Sequence, residues 1–243
     1  MKAFFFDIDG TLADRFEVPS SAQIALNCLR ENGYLVFICT GRPVYYVMEN
    51  FGKYCDGCIC FNGRYAELNG RILYDKPLTD EEVTELTDIL DEHKAGYWFF
   101  NNEGHFEGGW LNDHYQEMQL NSEKVYNFDI FFSSPEHFEV LKEILKDKCI
   151  FNPHGLAPHA DATIIGSDKG LALRAVLEKL NINVKDSYAF GDGANDVSML
   201  KSAGHGIAMG NALDITKEAA EYVTDNMKDD GIYKALVHYG LFK

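Results

Sequence analysis

The chain has 243 residues, generous for one hydrophobic core and comfortable for two unequal domains. Hydrophobic residues make up 46% and charged residues 25%, as in an ordinary globular protein, and no apolar run approaches the roughly 20 residues of a membrane span. A net charge of -16 argues against nucleic-acid or anionic-membrane partners, which need basic surfaces. A phosphorylated substrate stays open, because screening over about 8 Å lets charges lining a pocket outweigh the molecular total.

Phe4, Phe5 and Phe6 read as a strand buried on both faces, the pattern of a parallel sheet covered by helices. Asp7 and Asp9 follow, two apart and so on one face, where the strand emerges; Gly10 permits a sharp turn. Asp7 also ends the apolar run too early for a signal peptide, so a cytoplasmic protein is expected. Six cysteines suit a reducing compartment; Cys55-x-x-Cys58 has no second pair or spaced histidines to complete a zinc site. A helix is expected over Ser20–Asn32 with Gly33 as its stop, then a strand over Tyr34–Cys39. Thr40-Gly41-Arg42-Pro43 leads into a helix to about Phe51. Gly57–Phe61 reads as a third strand, and Asn69-Gly70 turns a hairpin between Tyr65–Leu68 and Arg71–Tyr74.

The pattern changes near Leu78. An acidic helix opens at Thr79-Asp80-Glu81-Glu82. An aromatic strand (Tyr97–Phe100), a Gly-rich segment, a strand (Phe128–Ser133), a helix (Pro135–Asp147) and strands near Ile150 and Ala162–Ile165 follow. This predicts an α+β unit over 79–166, inserted into an α/β, doubly wound Rossmann-like parallel-sheet core formed by 1–78 and 167–243. The core resumes with a helix over Ser167–Leu180. A strand over Tyr188–Phe190 ends in Gly191-Asp192-Gly193-Ala194-Asn195-Asp196, and a helix follows to Ala203. Strands at Gly206–Met209 and Tyr222–Thr224 and a helix from Gly231 complete the chain.

The polar residues fall on strand-end loops: Asp7 and Asp9, Thr40 and Arg42, Asn62, and Asp192 with Asn195 and Asp196. Open α/β sheets bind ligands at the carboxyl ends of their strands, so these loops can converge, with Lys169 joining from a helix start. Acids, a lysine and small donors together suit a hard cation such as magnesium and a phosphoryl group. Competing motifs fail. Gly10 and Val18 stand where an EF-hand needs other spacing and a glutamate; Asp196 replaces the third glycine of a dinucleotide fingerprint; neither a P-loop nor a nucleophile elbow occurs.

The set resembles the haloacid dehalogenase-like phosphatase superfamily in its Cof-type branch. Asp7-Ile8-Asp9-Gly10-Thr11-Leu12, Thr40-Gly41-Arg42, Asp168-Lys169-Gly170 and Gly191–Asp196 match its motifs in order, and the insert lies where this branch carries a large α/β cap. The resemblance implies Asp7 as nucleophile and Asp9 as general acid and base. It implies Mg2+ held by Asp7, the carbonyl of Asp9 and Asp192 with Asp196 in support, and phosphate contacts from Thr40, Gly41, Lys169, Asn195 and Arg42. Each residue also has a plainer reading. Thr40 could cap the helix at Pro43, Arg42 could pair with a surface carboxylate instead of phosphate, Asn62-Gly63-Arg64 could be only a turn, and Lys169 could be a solvated helix-end lysine. Arg64 stands where the branch usually has a small residue.

Within the insert, Tyr97–Phe100 reads mainly as strand core. Asn62, His105, Trp110 and His114 are the candidates for substrate specificity. The expectation is a Mg2+-dependent phosphatase of small phosphorylated metabolites such as sugar phosphates, nucleotides or cofactor phosphates. A phosphomutase and a non-catalytic phosphometabolite-binding regulator are the rivals.

Overall fold

In the computed structural model, residues 1–110, 124–153 and 157–242 are described. Phe4, Phe5 and Phe6 make up most of β1 (Ala3–Phe6), a central strand with every side chain buried. Three rings in a row are accommodated because successive residues face opposite ways. Phe4 and Phe6 each stack on a ring of the neighbouring strand, Tyr188 and Phe190, at 4.7 Å between centroids. Phe5 instead stacks on Phe37 at 5.1 Å within the core of the other face.

The chain then forms α1 (Ser20–Glu31), β2 (Leu35–Cys39), α2 (Val44–Phe51), β3 (Gly57–Cys60), β4 (Tyr65–Leu68) and β5 (Arg71–Asp75). It enters a separate unit: α3 (Asp80–Glu92), β6 (Gly96–Phe100), β7 (His105–Gly109), β8 (Asn127–Phe131), α4 (Pro135–Ile144), β9 (Cys149–Pro153) and β10 (His159–Ile164). It returns as α5 (Lys169–Lys179), β11 (Ser187–Gly191), α6 (Val197–Ser202), β12 (His205–Ala208), α7 (Asp214–Ala219), β13 (Tyr222–Val223) and α8 (Gly231–His238).

The larger sheet has the order β13-β12-β11-β1-β2-β3-β4-β5. It is parallel from β13 to β3, and β4 and β5 extend it as an antiparallel hairpin. Helices α5 and α6 contribute Leu173, Val176, Leu177, Met199 and Leu200 to the core on the face that carries Phe5 and Phe37. The second unit is a five-stranded antiparallel sheet, β7-β6-β8-β10-β9, with α3 and α4 packed on the face presenting Tyr97, Phe99, Phe128 and Ile130. Among the described residues no helix is long and apolar enough to cross a membrane.

Two compact units result, Met1–Asp75 with Asp168–Lys243, and Lys76–Ser167. The first boundary precedes the expected one by three residues because Leu78 is buried in the second unit's core. The Gly-rich segment is a strand in part: β7 pairs with β6 from Gly96↔Gly109 to Phe100↔His105, and Gly108 leaves room for the Tyr97 ring. Helix α7 is not among the expected elements: Ile215 and Ala219 are its only apolar residues, too few for periodicity to register, and the residue it buries is Thr216.

Helix α3 begins in a capping box: Thr79 Oγ1 accepts from the Glu82 amide at 3.1 Å, and the Glu82 carboxylate accepts from the Thr79 amide at 2.8 Å. Thr79→Ala should therefore destabilise the inserted unit by about 1 kcal/mol. Both tryptophans, Trp98 and Trp110, belong to that unit, so a lower urea midpoint of tryptophan fluorescence is the expected reading.

Candidate active site

Parallel pairing brings the carboxyl ends of four strands to one edge of the sheet. Asp7 follows β1, Thr40 follows β2, Asn62 lies just past β3 and Asp192 follows β11. β1 lies between β11 and β2, where the connections reverse direction and leave a crevice.

Lys169 fills the floor of that crevice. It is the first residue of α5, whose start is fixed by Asp168 accepting from the amides of Gly170 at 2.7 Å and Leu171 at 3.1 Å. Only 1% of Lys169 is exposed, which removes the solvated reading. Its Nζ donates to Asp7 Oδ1 and to Asp196 Oδ1, both at 2.7 Å. Burial alone would lower the ammonium's pKa; Asp196 and Asp7 outweigh it and hold the group above its ordinary value. Burial, reinforced by Asp196, pushes Asp7 up to about 8 even though Lys169 pulls the other way.

The late acidic loop is tied to the first one. Thr11 Oγ1 donates to Asp192 Oδ1 at 2.8 Å, and burial raises Asp192 to about 6 against that bond. Gly10 has a φ of +84°, and a Cβ there would overlap the Asp192 carboxylate, so the turn needs glycine for both reasons. Asp196 folds back on its own loop: Oδ2 accepts from the amides of Asp192 and Gly193, each at 3.0 Å. Asn211 Nδ2 donates to the Gly10 carbonyl at 2.8 Å and Thr216 Oγ1 to that of Gly193 at 2.8 Å. Sequence reasoning missed Thr11 as an orienting residue, along with Asn211 and Thr216. Thr11 stood inside the first motif; the other two carry no local signal.

Carboxylate oxygens of Asp7, Asp192 and Asp196 lie within 4.8 Å of one another. Three acids face a single ammonium, so an all-oxygen set short of positive charge remains, which fits a hard divalent cation. The Asp9 carboxylate is outside this group. It is exposed, and Arg42 Nη2 and Nε approach its Oδ2 at 3.3 and 3.4 Å while the guanidinium sits 5.2 Å from the Tyr46 ring centroid. Thr40 is buried and its Oγ1 accepts from the Arg42 amide at 3.2 Å; Pro43, not Thr40, precedes α2, and no side chain caps that helix. Asn195 Nδ2 donates to Asn62 Oδ1 at 3.1 Å, next to Gly41.

In the inserted unit, His105 lies on β7, in a regular strand rather than a loop, with Nε2 3.6 Å from Glu107 and its ring 4.7 Å from that of Trp98. Trp110 is half exposed and His114 falls outside the described residues. The sheet face opposite α3 and α4 also gathers Asp129, His159 and Asp161, with His159 Nε2 3.0 Å from Asp129 Oδ2. Their signal was the alternation of His159, Asp161 and Thr163 with buried Ala160, Ala162 and Ile164.

The haloacid dehalogenase-like hydrolase profile matches residues 4–236. The protein YkrA of Bacillus subtilis is 31% identical over 258 residues, spanning 100% of this chain and 99% of its own. The 5-amino-6-(5-phospho-D-ribitylamino)uracil phosphatase YcsE of the same organism is 29% identical over 99% of this chain and 96% of its own. Among solved structures, the phosphatase-superfamily member BT1666 of Bacteroides thetaiotaomicron superposes with a TM-score of 0.84 at 26% identity, covering 100% of this chain and 96% of that one.

The raised acids have a consequence for stability. Between the ordinary value of 3.8 and about 8, the folded protein retains a proton on Asp7 that the unfolded chain has released, so this site's contribution falls as pH rises. Protein stripped of divalent ions should lose melting temperature between about pH 5 and 8, less so in Asp7→Asn, and added Mg2+ should restore more at the upper end. Calorimetric scans with and without EDTA check this.

Proposed function

The chain belongs to the haloacid dehalogenase-like hydrolases, and from that premise we propose that it is a Mg2+-dependent phosphatase of small phosphorylated metabolites. The observation that carries this reading is the buried ammonium of Lys169 beside Asp7, with Asp192 and Asp196 completing one acidic volume at the sheet's edge. A related enzyme named for a phosphoribitylamino-uracil substrate supports a phosphorylated small molecule as the substrate class.

Asp7 would attack phosphorus, forming an aspartyl-phosphate as the ester P–O bond breaks. Asp9, exposed beside the crevice, would give its proton to the leaving oxygen and then take one from the water that releases orthophosphate. Arg42 is assigned to orienting Asp9, which it contacts, rather than to phosphate. Thr40, Gly41, Lys169 and Asn195 would bind phosphoryl oxygens, since a loose transition state leaves the protein mainly positioning and charge stabilisation to supply. Asp7, Asp192 and the Asp9 carbonyl would hold Mg2+, with Asp196 orienting them. The ion would neutralise phosphoryl charge and favour the ionised form of Asp7. Leaving-group selection is assigned to the inserted unit, with His105, Trp98 and the Asp129–His159 pair as its polar and aromatic candidates. Six unpaired cysteines support a reducing compartment such as the cytoplasm.

Asp7→Asn should reduce phosphate release from an aryl phosphate by about a thousandfold or more, with the melting temperature retained. EDTA should abolish turnover and Mg2+ restore it. Appearance of label on a second sugar hydroxyl instead of in water would favour a phosphomutase; metabolite binding without phosphate release would favour a regulator.

A further inference from the structure

β3 ends in a run of three residues with left-handed backbone: Phe61 at φ 53°, Asn62 at 51° and Gly63 at 99°. Asparagine and glycine tolerate this region, whereas a bulky aromatic such as Phe61 rarely enters it and is strained there. Such a run persists only where its surroundings impose it. Here they do so from three directions.

The Phe61 amide donates to the Arg42 carbonyl at 3.3 Å and the Asn62 amide to the Thr40 carbonyl at 3.0 Å, which ties the run to the loop carrying Thr40. Asn62 Oδ1 accepts from Asn195 Nδ2 at 3.1 Å, which ties it to the loop of Asp192 and Asp196. Gly63 lies against the main chain of Asp168, where any Cβ would collide with the carbonyl, one residue before Lys169. Asn62 is buried, and its carboxamide packs over Gly41. A single turn thus touches the three segments that present Thr40, Asn195 and Lys169.

We propose that Asn62 is a positioning residue whose amide and carboxamide keep Asn195 in register with the loop of Thr40, rather than a residue selecting the leaving group. The inference rests on the reading of the crevice as a phosphoryl site. It explains why a strained conformation is kept at this strand end: the left-handed backbone sends the two amides to one loop while the side chain reaches another.

Asn62→Gly separates strain from function, because glycine keeps the backbone at low cost and deletes the carboxamide. The expected result is an unchanged or higher melting temperature with kcat/KM lowered about ten- to a hundredfold. The loss should be the same for phosphate esters with different leaving groups. Orthophosphate should bind more weakly by calorimetry in Mg2+, and adding Asn195→Ala should cost no more than Asn195→Ala alone. Activity within twofold of wild type, a loss that varies with the leaving group, or losses that multiply in the double variant would each overturn the proposal. Wild-type protein that releases no phosphate would instead count against the phosphatase reading, and orthophosphate affinity would still decide the role of Asn62.

Discussion

One buried cluster organises the larger unit: the Lys169 ammonium between Asp7 and Asp196. Its three members come from β1, from the start of α5 and from the loop after β11, so segments separated by 162 and 27 residues meet at 2.7 Å. Removing the lysine would leave both buried acids without their cation, and stranding a buried charge typically costs about 3–5 kcal/mol; replacing Asp7 leaves Lys169 paired with Asp196. The arrangement also stays incomplete by design of its charges. With Asp192 included, negative groups outnumber positive ones, and burial, reinforced by the neighbouring Asp196, lifts the pKa values of Asp7 and Asp192. Folding and readiness for a cation are therefore the same electrostatic fact viewed from two sides.

Much of this was legible beforehand because the decisive signals are local. Three phenylalanines before Asp7 announce a strand buried on both faces, and a parallel sheet delivers its strand ends to one edge without any long-range knowledge. The motifs around Lys169 and Asp192 then needed only to be assigned to those ends. What escaped is what depends on pairing between distant segments. His105 sits in a strand because β6 lies alongside and Gly108 yields to Tyr97, and no window of sequence around His105 contains that information. Likewise, Thr11 orients Asp192 across 181 residues, and Arg42 reaches Asp9 across 33.

The two kinds of support around the crevice differ in physical character. Lys169 and the acids act through charge in a dry volume, where a small displacement changes energies greatly. Thr11, Asn62, Asn211 and Thr216 carry no charge of their own and act through hydrogen bonds, each worth on the order of 1 kcal/mol, which matter by restricting geometry. Sequence reading favours the first kind, since charged residues in unusual company stand out, and passes over the second, since threonine and asparagine are ordinary loop residues everywhere.

The chain leaves the larger unit after Asp75 and comes back at Asp168, and β5, which precedes the departure, packs against α5, which follows the return. Departure and arrival are thus neighbours. A module carried between such points can lengthen, shrink or be exchanged through drift and recombination while the crevice beneath keeps its geometry, so the insertion can vary without the sheet having to be rebuilt.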